Sequence, residues 1–350
     1  MQNGKVSKGG VYGYIFMKKK LNINYLDIIA TGNLLVAWQE FIVDKTKKKD
    51  VIEFSLSLAD NILQLNSELA NDAYRHGPYQ DFYISDPKLR HIHKASVRDR
   101  LAHHAIYRQL YPFFDRIFIA HSYSCRLDKG THRAIMAFNK MMGRVSHNHT
   151  KTCWILQCDI RKFFDNINHQ ILSEILREYI ADEKILSLLN NIISSYESAP
   201  GRGLPLGNLT SQLLVNIYMN SFDQHVKHQV KARYYIRYAD DFVFLSADRD
   251  ELLGILAKID RFLIDELKLQ IHPRKIYLKT IEREVDFLGW VNFSEHKVLR
   301  TKTKRRMMTK IKNSPKPASL ASYLGMLKHG DASNLKRELV NNYWINFPEQ

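Results

Sequence analysis

The chain has 350 residues, 45% of them hydrophobic and 11% aromatic, and a formal net charge of +16 from 52 basic and 36 acidic residues. This excludes a disordered chain and provides for two or three subdomains on a sizeable core. The basic excess favours a polyanionic partner, nucleic acid first among them. Cys125, Cys153 and Cys158 lack CxxC spacing, so neither a zinc site nor a disulfide framework is expected, and a sparse, odd count fits a reducing compartment. No apolar run reaches the roughly 18 residues of a membrane span. Residues 1–20 carry no apolar signal region, and Met17 offers an alternative start. The expected location is therefore cytoplasmic, with no membrane partner.

In chain order, residues 21–72 read as helical. Leu26, Ile29, Leu34, Ala37, Trp38 and Phe41 recur near helical spacing, a lysine-rich turn interrupts at 45–49, and Leu56, Leu58, Ile62, Leu63, Leu65 and Leu69 resume the pattern. His76-Gly77-Pro78-Tyr79 ends this region. A hairpin is predicted over 80–94 around Ser85-Asp86-Pro87, a helix over 97–114, a strand over 152–160 and helices over 168–196. Gly201–Gly207 is a loop, and Asn208 or Thr210 caps the next helix. A hairpin at 232–247, a helix at 250–267, a short strand at 276–278 and a hairpin at 285–299 follow. Residues 300–316 are basic without one acid, and a helical tail covers 318–345. The mixed order of helices and strands predicts an α+β fold.

Tyr238-Ala239-Asp240-Asp241 lies between the apolar runs 234–237 and 242–245, which places two carboxylates at a hairpin tip. Adjacent carboxylates repel, and a divalent cation removes the repulsion. Asp159 ends a further apolar strand, Trp154 to Ile160. Three carboxylates delivered to one point are what two-metal phosphoryl transfer needs; the plainer alternative is that they form turns or cap helices.

Four blocks occur in order: Pro87-Lys88-Leu89-Arg90, Asp159 to Asp165, Gly203 to Gln212, and Tyr238-Ala239-Asp240-Asp241. In order and spacing they resemble the fingers and palm of a reverse transcriptase over roughly residues 25–345. The resemblance implies an RNA-directed DNA polymerase (a nucleotidyltransferase) with a right-hand fold. Its parts would be an N-terminal helical extension and the start of the fingers at 1–80, fingers and palm at 81–300, and a short basic thumb at 301–350. It implies metal ligands at Asp159 and Asp240, the carbonyl of Ile160 and, more weakly, Asp241. These would hold two Mg²⁺ ions, with Mn²⁺ as a possible substitute. Lys275 falls where the family carries a lysine that protonates pyrophosphate. Lys88 and Arg90 would grip the triphosphate, with a solvated charged face as the alternative. Phe164 would lie under the sugar and exclude a 2′-hydroxyl, although either Phe163 or Phe164 belongs to the core. Leu206, Gly207, Gln212 and Tyr238 complete the implied substrate pocket. Asp165 reads better as a cap for the helix near 168 than as a ligand. Lys302, Lys304, Arg305, Arg306 and Lys310 would track the template–primer backbone.

Where most relatives have glutamine before the second glycine of the loop, this chain has Leu206 in Leu-Gly-Asn-Leu-Thr-Ser-Gln. That form is similar to the reverse transcriptases of diversity-generating retroelements. It implies error-prone copying, mostly at adenines, of a template RNA into cDNA from dNTPs. It also implies a small basic accessory helical-bundle protein as partner and a prokaryotic or phage source. The short stretch after the palm leads to the expectation that no RNase H or integrase domain follows. Two alternatives stand beside this reading: a retron-like or phage-defence reverse transcriptase, and a non-catalytic RNA-binding protein on a polymerase scaffold.

Overall fold

The computed structural model describes residues 19–85, 89–293 and 296–347. Helices α1 (Tyr25–Ile29), α2 (Thr31–Ile42), α3 (Lys49–Leu56) and α4 (Leu58–Ala70) fill the predicted N-terminal helical region. Asn24 opens α1 with a capping box closed by Asp27. On α2 the periodic residues Leu34, Ala37, Trp38 and Phe41 are all buried, as an amphipathic helix requires. Strands β1 (Gln80–Ser85) and β2 (Leu89–Lys94) pair antiparallel as the fingers hairpin. The tip of that hairpin, with Lys88, lies outside the described residues. Helix α5 (Val97–Ile117), capped by Ser96, packs across α2.

Helix α6 (Thr131–Val145) has no counterpart among the predicted elements. Its buried face, Ala134, Ile135, Phe138, Met141, Met142 and Val145, is nonetheless helical in period. Next come β3 (Trp154–Asp159), α7 (His169–Tyr179), α8 (Glu183–Ile193), α9 (Leu209–His228), β4 (Tyr235–Tyr238), β5 (Asp241–Ser246), α10 (Arg249–Asp265) and β6 (Tyr277–Thr280). The palm is a four-stranded antiparallel sheet in the order β4-β5-β3-β6.

Period-two alternation gives this sheet two apolar faces. Leu156, Cys158, Phe242, Phe244 and Tyr235 join one core with α9 and α10. Ile155, Ile236, Val243 and Leu245 join a second core with α6 and the C-terminal part of the chain. Tyr235 stacks on Phe244 at 4.8 Å and Phe222 of α9 meets Phe242 at 5.2 Å. Each such buried ring contributes about 1.5–3 kcal/mol. The strands that deliver the acids are thus held from both sides.

The predicted hairpin at 285–299 is a three-stranded meander: β7 (Val285–Phe287), β8 (Trp290–Asn292) and β9 (Lys297–Leu299). Leu288 and Gly289, both at positive φ, form its first two-residue turn, which the strand twist favours. Helices α11 (Thr301–Asn313), α12 (Pro317–Leu327) and α13 (Ser333–Asn346) close the second core through Met307, Ile311, Leu327, Leu339 and Tyr343. Among the described residues no helix is long and apolar enough to cross a membrane.

Candidate active site

The end of β3 and the start of β5 meet in register, so Asp159 stands directly opposite Asp241. Asp240, which precedes Asp241, is tied to the end of β3 through its backbone carbonyl, which accepts from Ile160 N at 3.1 Å. The three acids therefore sit at one end of the sheet because two of its strands end in register. On the other side of Asp159, the short 3-10 turn Pro273–Lys275 aims Lys275 inward. Lys275 Nζ donates to Asp159 Oδ1 at 2.6 Å. Burial, then Asp240 and Asp159, push the Asp241 carboxyl up to about 7, against a smaller downward pull from Gln157 and Lys275. A cleft of about 450 Å³ opens beside these groups, lined by Asp159, Asp241, Lys275, Tyr277, Asp286 and Arg300. Arg300 is ion-paired to Asp286 on its wall.

Hard carboxylate oxygens that destabilise one another in a partly buried cleft fit a hard divalent cation. Asp159, Asp240 and Asp241 are the residues that would hold it. The Lys275 contact already offsets part of their charge, so a cation would compete with Lys275 for Asp159. Among the described residues, the group with three ligand atoms mutually within 4.8 Å is a different one, Asp81, His91 and His93 in the fingers hairpin.

Beneath the tip lies a group that sequence reasoning missed. Arg237 of β4 is fully buried, and its guanidinium donates to both carboxylate oxygens of Asp223 on α9, at 2.9 and 2.7 Å. It also reaches Ser122 Oγ at 3.0 Å, Asn216 Oδ1 at 3.3 Å and the Ala239 carbonyl at 3.2 Å. Tyr235 donates its hydroxyl to the same Asp223 at 2.7 Å. Ala239 sits at φ +55, which costs a residue other than glycine about 1–2 kcal/mol. The Arg237 contact holds its carbonyl in that conformation. Arg237 is thus a positioning residue for the two acids that follow. The only sequence signal was a charge inside an otherwise apolar strand.

The other candidates are distributed as follows. Phe163 is buried and Phe164 half-buried, so the core member of that pair is Phe163. The Phe164 carbonyl accepts from Leu204 N at 2.9 Å, which ties it to the glycine loop. Leu206 and Gly207 make their contacts with the fingers: Leu206 O accepts from His93 N at 3.1 Å, and a Cβ on Gly207 would lie 2.9 Å from Ile92 Cγ2. Gln212 is half-buried on the first turn of α9. Tyr238 is half-buried and its hydroxyl accepts from Thr131 at 3.2 Å. Arg90 is exposed on β2, across from Ile84. On α11, Lys302, Arg305 and Lys310 are exposed, and Arg306 is half-buried. Lys304 faces α13 and lies 3.4 Å from Glu338.

One expected cap falls elsewhere and another holds its position without a capping bond. Asn168, not Asp165, caps α7 by accepting from Ile171 N at 3.0 Å. The chain first forms a 3-10 turn at Phe164–Asn166, which holds Asp165 short of the helix. Asn208 occupies the N-cap of α9 but makes no capping bond; its side chain donates to His93 O at 3.0 Å instead.

A four-stranded palm with paired carboxylates at its strand ends, a fingers hairpin before it and a helical bundle after it defines a polymerase-type nucleotidyltransferase. The family model described as "Reverse transcriptase (RNA-dependent DNA polymerase)" matches residues 85–291. The chain belongs to that family and is an enzyme of the RNA-directed DNA polymerase class. It is 26% identical over 305 residues to Protein YkfC of Escherichia coli K12, covering 74% of this chain and 76% of YkfC. It is 20% identical over 303 residues to the group II intron-encoded protein LtrA of Lactococcus lactis subsp. cremoris, covering 66% of this chain but 49% of LtrA. A solved structure of Candida albicans telomerase with a TWJ fragment of telomeric RNA is similar at a TM-score of 0.49 and 10% identity, over 80% of this chain and 62% of that one.

Proposed function

We propose that the chain copies a template RNA into cDNA, extending a primer with dNTPs at the site formed by Asp159, Asp240 and Asp241. The observation that carries this is the register of β3 against β5, which sets Asp159 opposite Asp241. Asp159, Asp240, Asp241 and the Ile160 carbonyl would hold Mg²⁺, which would supply charge neutralisation and a lowered pKa at the primer hydroxyl. The remaining work falls to the chain. Lys275, paired to Asp159, would give a proton to the leaving pyrophosphate. Arg90, exposed on β2, would meet the triphosphate together with Lys88. Phe164 lies under the sugar and disfavours a 2′-hydroxyl. Lys302, Arg305 and Lys310 line the solvent side of α11, where phosphate backbone can reach them.

The finer reading is a diversity-generating enzyme that miscopies template adenines and works with a small basic accessory protein. It rests on Leu206, an apolar residue where a glutamine would hydrogen-bond the nascent pair; losing one such bond permits roughly tenfold poorer discrimination. Primer extension on an RNA template followed by sequencing of the cDNA tests both levels. Asp240→Asn should reduce extension by about a thousandfold, the several kcal/mol that metal binding contributes. Normal extension by that variant overturns the catalytic assignment. Leu206→Gln should lower errors at template adenines, and an unchanged spectrum removes the diversity-generating reading while leaving polymerisation intact.

A further inference from the structure

We propose that Asp81, His91 and His93 form a second metal site, a transition-metal clasp across the fingers hairpin that takes Zn²⁺. It uses different residues, on a different sheet, from the catalytic acids. The placement follows from strand geometry. Asp81 of β1 is in register with His93 of β2, and His91, two residues before His93, shares its face. His93 Nδ1 lies 2.7 Å from Asp81 Oδ1 and His91 Nε2 lies 3.5 Å from Asp81 Oδ2. One ligand atom from each of the three falls within 4.8 Å of the others.

The rings are held before any ion arrives. Tyr83 stacks on His91 at 4.6 Å with planes 8° apart. Tyr196 lies 4.5 Å from the His93 ring, and Tyr79 approaches its edge at 6.3 Å. His93 is 8% exposed, whereas His91 and Asp81 are 39% and 53% exposed, so an ion there keeps an open position toward solvent. Two imidazoles and one carboxylate are a borderline donor set that suits zinc better than magnesium.

The hairpin also needs support. Every residue of β1 is exposed, and a two-stranded hairpin is marginal without a packed face. A cross-strand ion would supply that stability as binding free energy. Because His93 N donates to Leu206 O, the clasp would fix the glycine loop as well.

The test uses the full chain, stripped with a chelator and held in excess Mg²⁺ so that the catalytic carboxylates are saturated. Co²⁺ is titrated as a visible probe and displaced with Zn²⁺. The expected result is one equivalent of Co²⁺ with the strong visible bands of a four-coordinate site, displaced by one equivalent of Zn²⁺. His91→Ala and Asp81→Asn should weaken binding by about a hundredfold, whereas Asp240→Asn should leave it unchanged. His91 and Asp81 are exposed enough to be replaced without emptying a core, and circular dichroism verifies that both variants fold. Absence of the bands, equal binding by His91→Ala, or loss of binding in Asp240→Asn would each overturn the site and leave Asp81 and His93 as a simple hydrogen-bonded pair.

Discussion

Two β-hairpins carry the candidate site residues, and they are built in opposite ways. The palm hairpin β4–β5 is buried along nearly its whole length, with a core on each face and a fully buried Arg237 under its tip. The fingers hairpin β1–β2 is exposed on β1 and on the outer half of β2, and is held on one face by stacked tyrosine and histidine rings. The difference fits the proposed roles. Carboxylates held close despite repulsion need a rigid mount, whereas side chains proposed to meet a triphosphate need access to solvent. The same residue type shows the contrast: Arg237 is interior and paired to Asp223, while Arg90 is exposed.

The largest break in this comparison comes at Arg237. Arg237→Met leaves Asp223 as a buried, uncompensated charge and should cost about 3–5 kcal/mol, read from the urea midpoint. The double variant Arg237→Met/Asp223→Leu should recover much of that stability but not the polymerase activity, because Ala239 still loses its contact.

A smaller effect sits between the two hairpins. Burial, then His76, holds the imidazole of His103 down to about 3, and its Nδ1 lies 3.2 Å from Thr210 Oγ1. Below the ordinary value of 6.5 the unfolded chain takes up a proton that the folded chain refuses. Stability should therefore be full above about pH 6.5 and fall as the pH drops toward 3, by about 2 kcal/mol at pH 5 from this residue. His104, held at about 4 mainly by burial, acts in the same direction. Thermal melts across this range measure the loss, and His103→Gln should flatten the slope.

Gly207 joins the loop to the fingers. At φ +107 and with Ile92 in the way, Gly207→Ala should cost about 1–3 kcal/mol. Faster amide exchange in β2 with little change in β4 and β5 would mark the damage as local to the fingers. Arg90→Ala should change stability least, within about 0.5 kcal/mol. It should raise KM for dNTP in steady-state extension more than it lowers kcat. A large fall in melting temperature would mean that Arg90 is structural after all.

Local chemistry made much of the site legible. Asp159, Asp240 and Asp241 could be placed because apolar runs with a two-residue turn between them report strand ends directly, and the pairing of β3 with β5 brings them together. Helix α6 was passed over because turns at Lys129-Gly130 and around His147 break up its neighbourhood, although Ile135, Phe138 and Met142 carry a helical period. Asp165 resembled a cap by residue type, but a 3-10 turn holds it short of α7; Asn208 takes the N-cap of α9 while its side chain bonds His93. On α11 the sequence showed one basic run, but helical geometry turns Lys304 toward Glu338 and leaves Lys302 and Arg305 outward.

The sequence by itself determined the strand-end carboxylates, the glycine loop and the basic run at 300–316, since alternation and turn chemistry act between neighbours in the chain. Tertiary structure alone decided that Arg237 lies inside while Arg90 lies outside, and that the register of β1 on β2 sets Asp81 against the face that His91 and His93 share. Burial and cross-strand register depend on which distant segments pack together, and no local pattern encodes that.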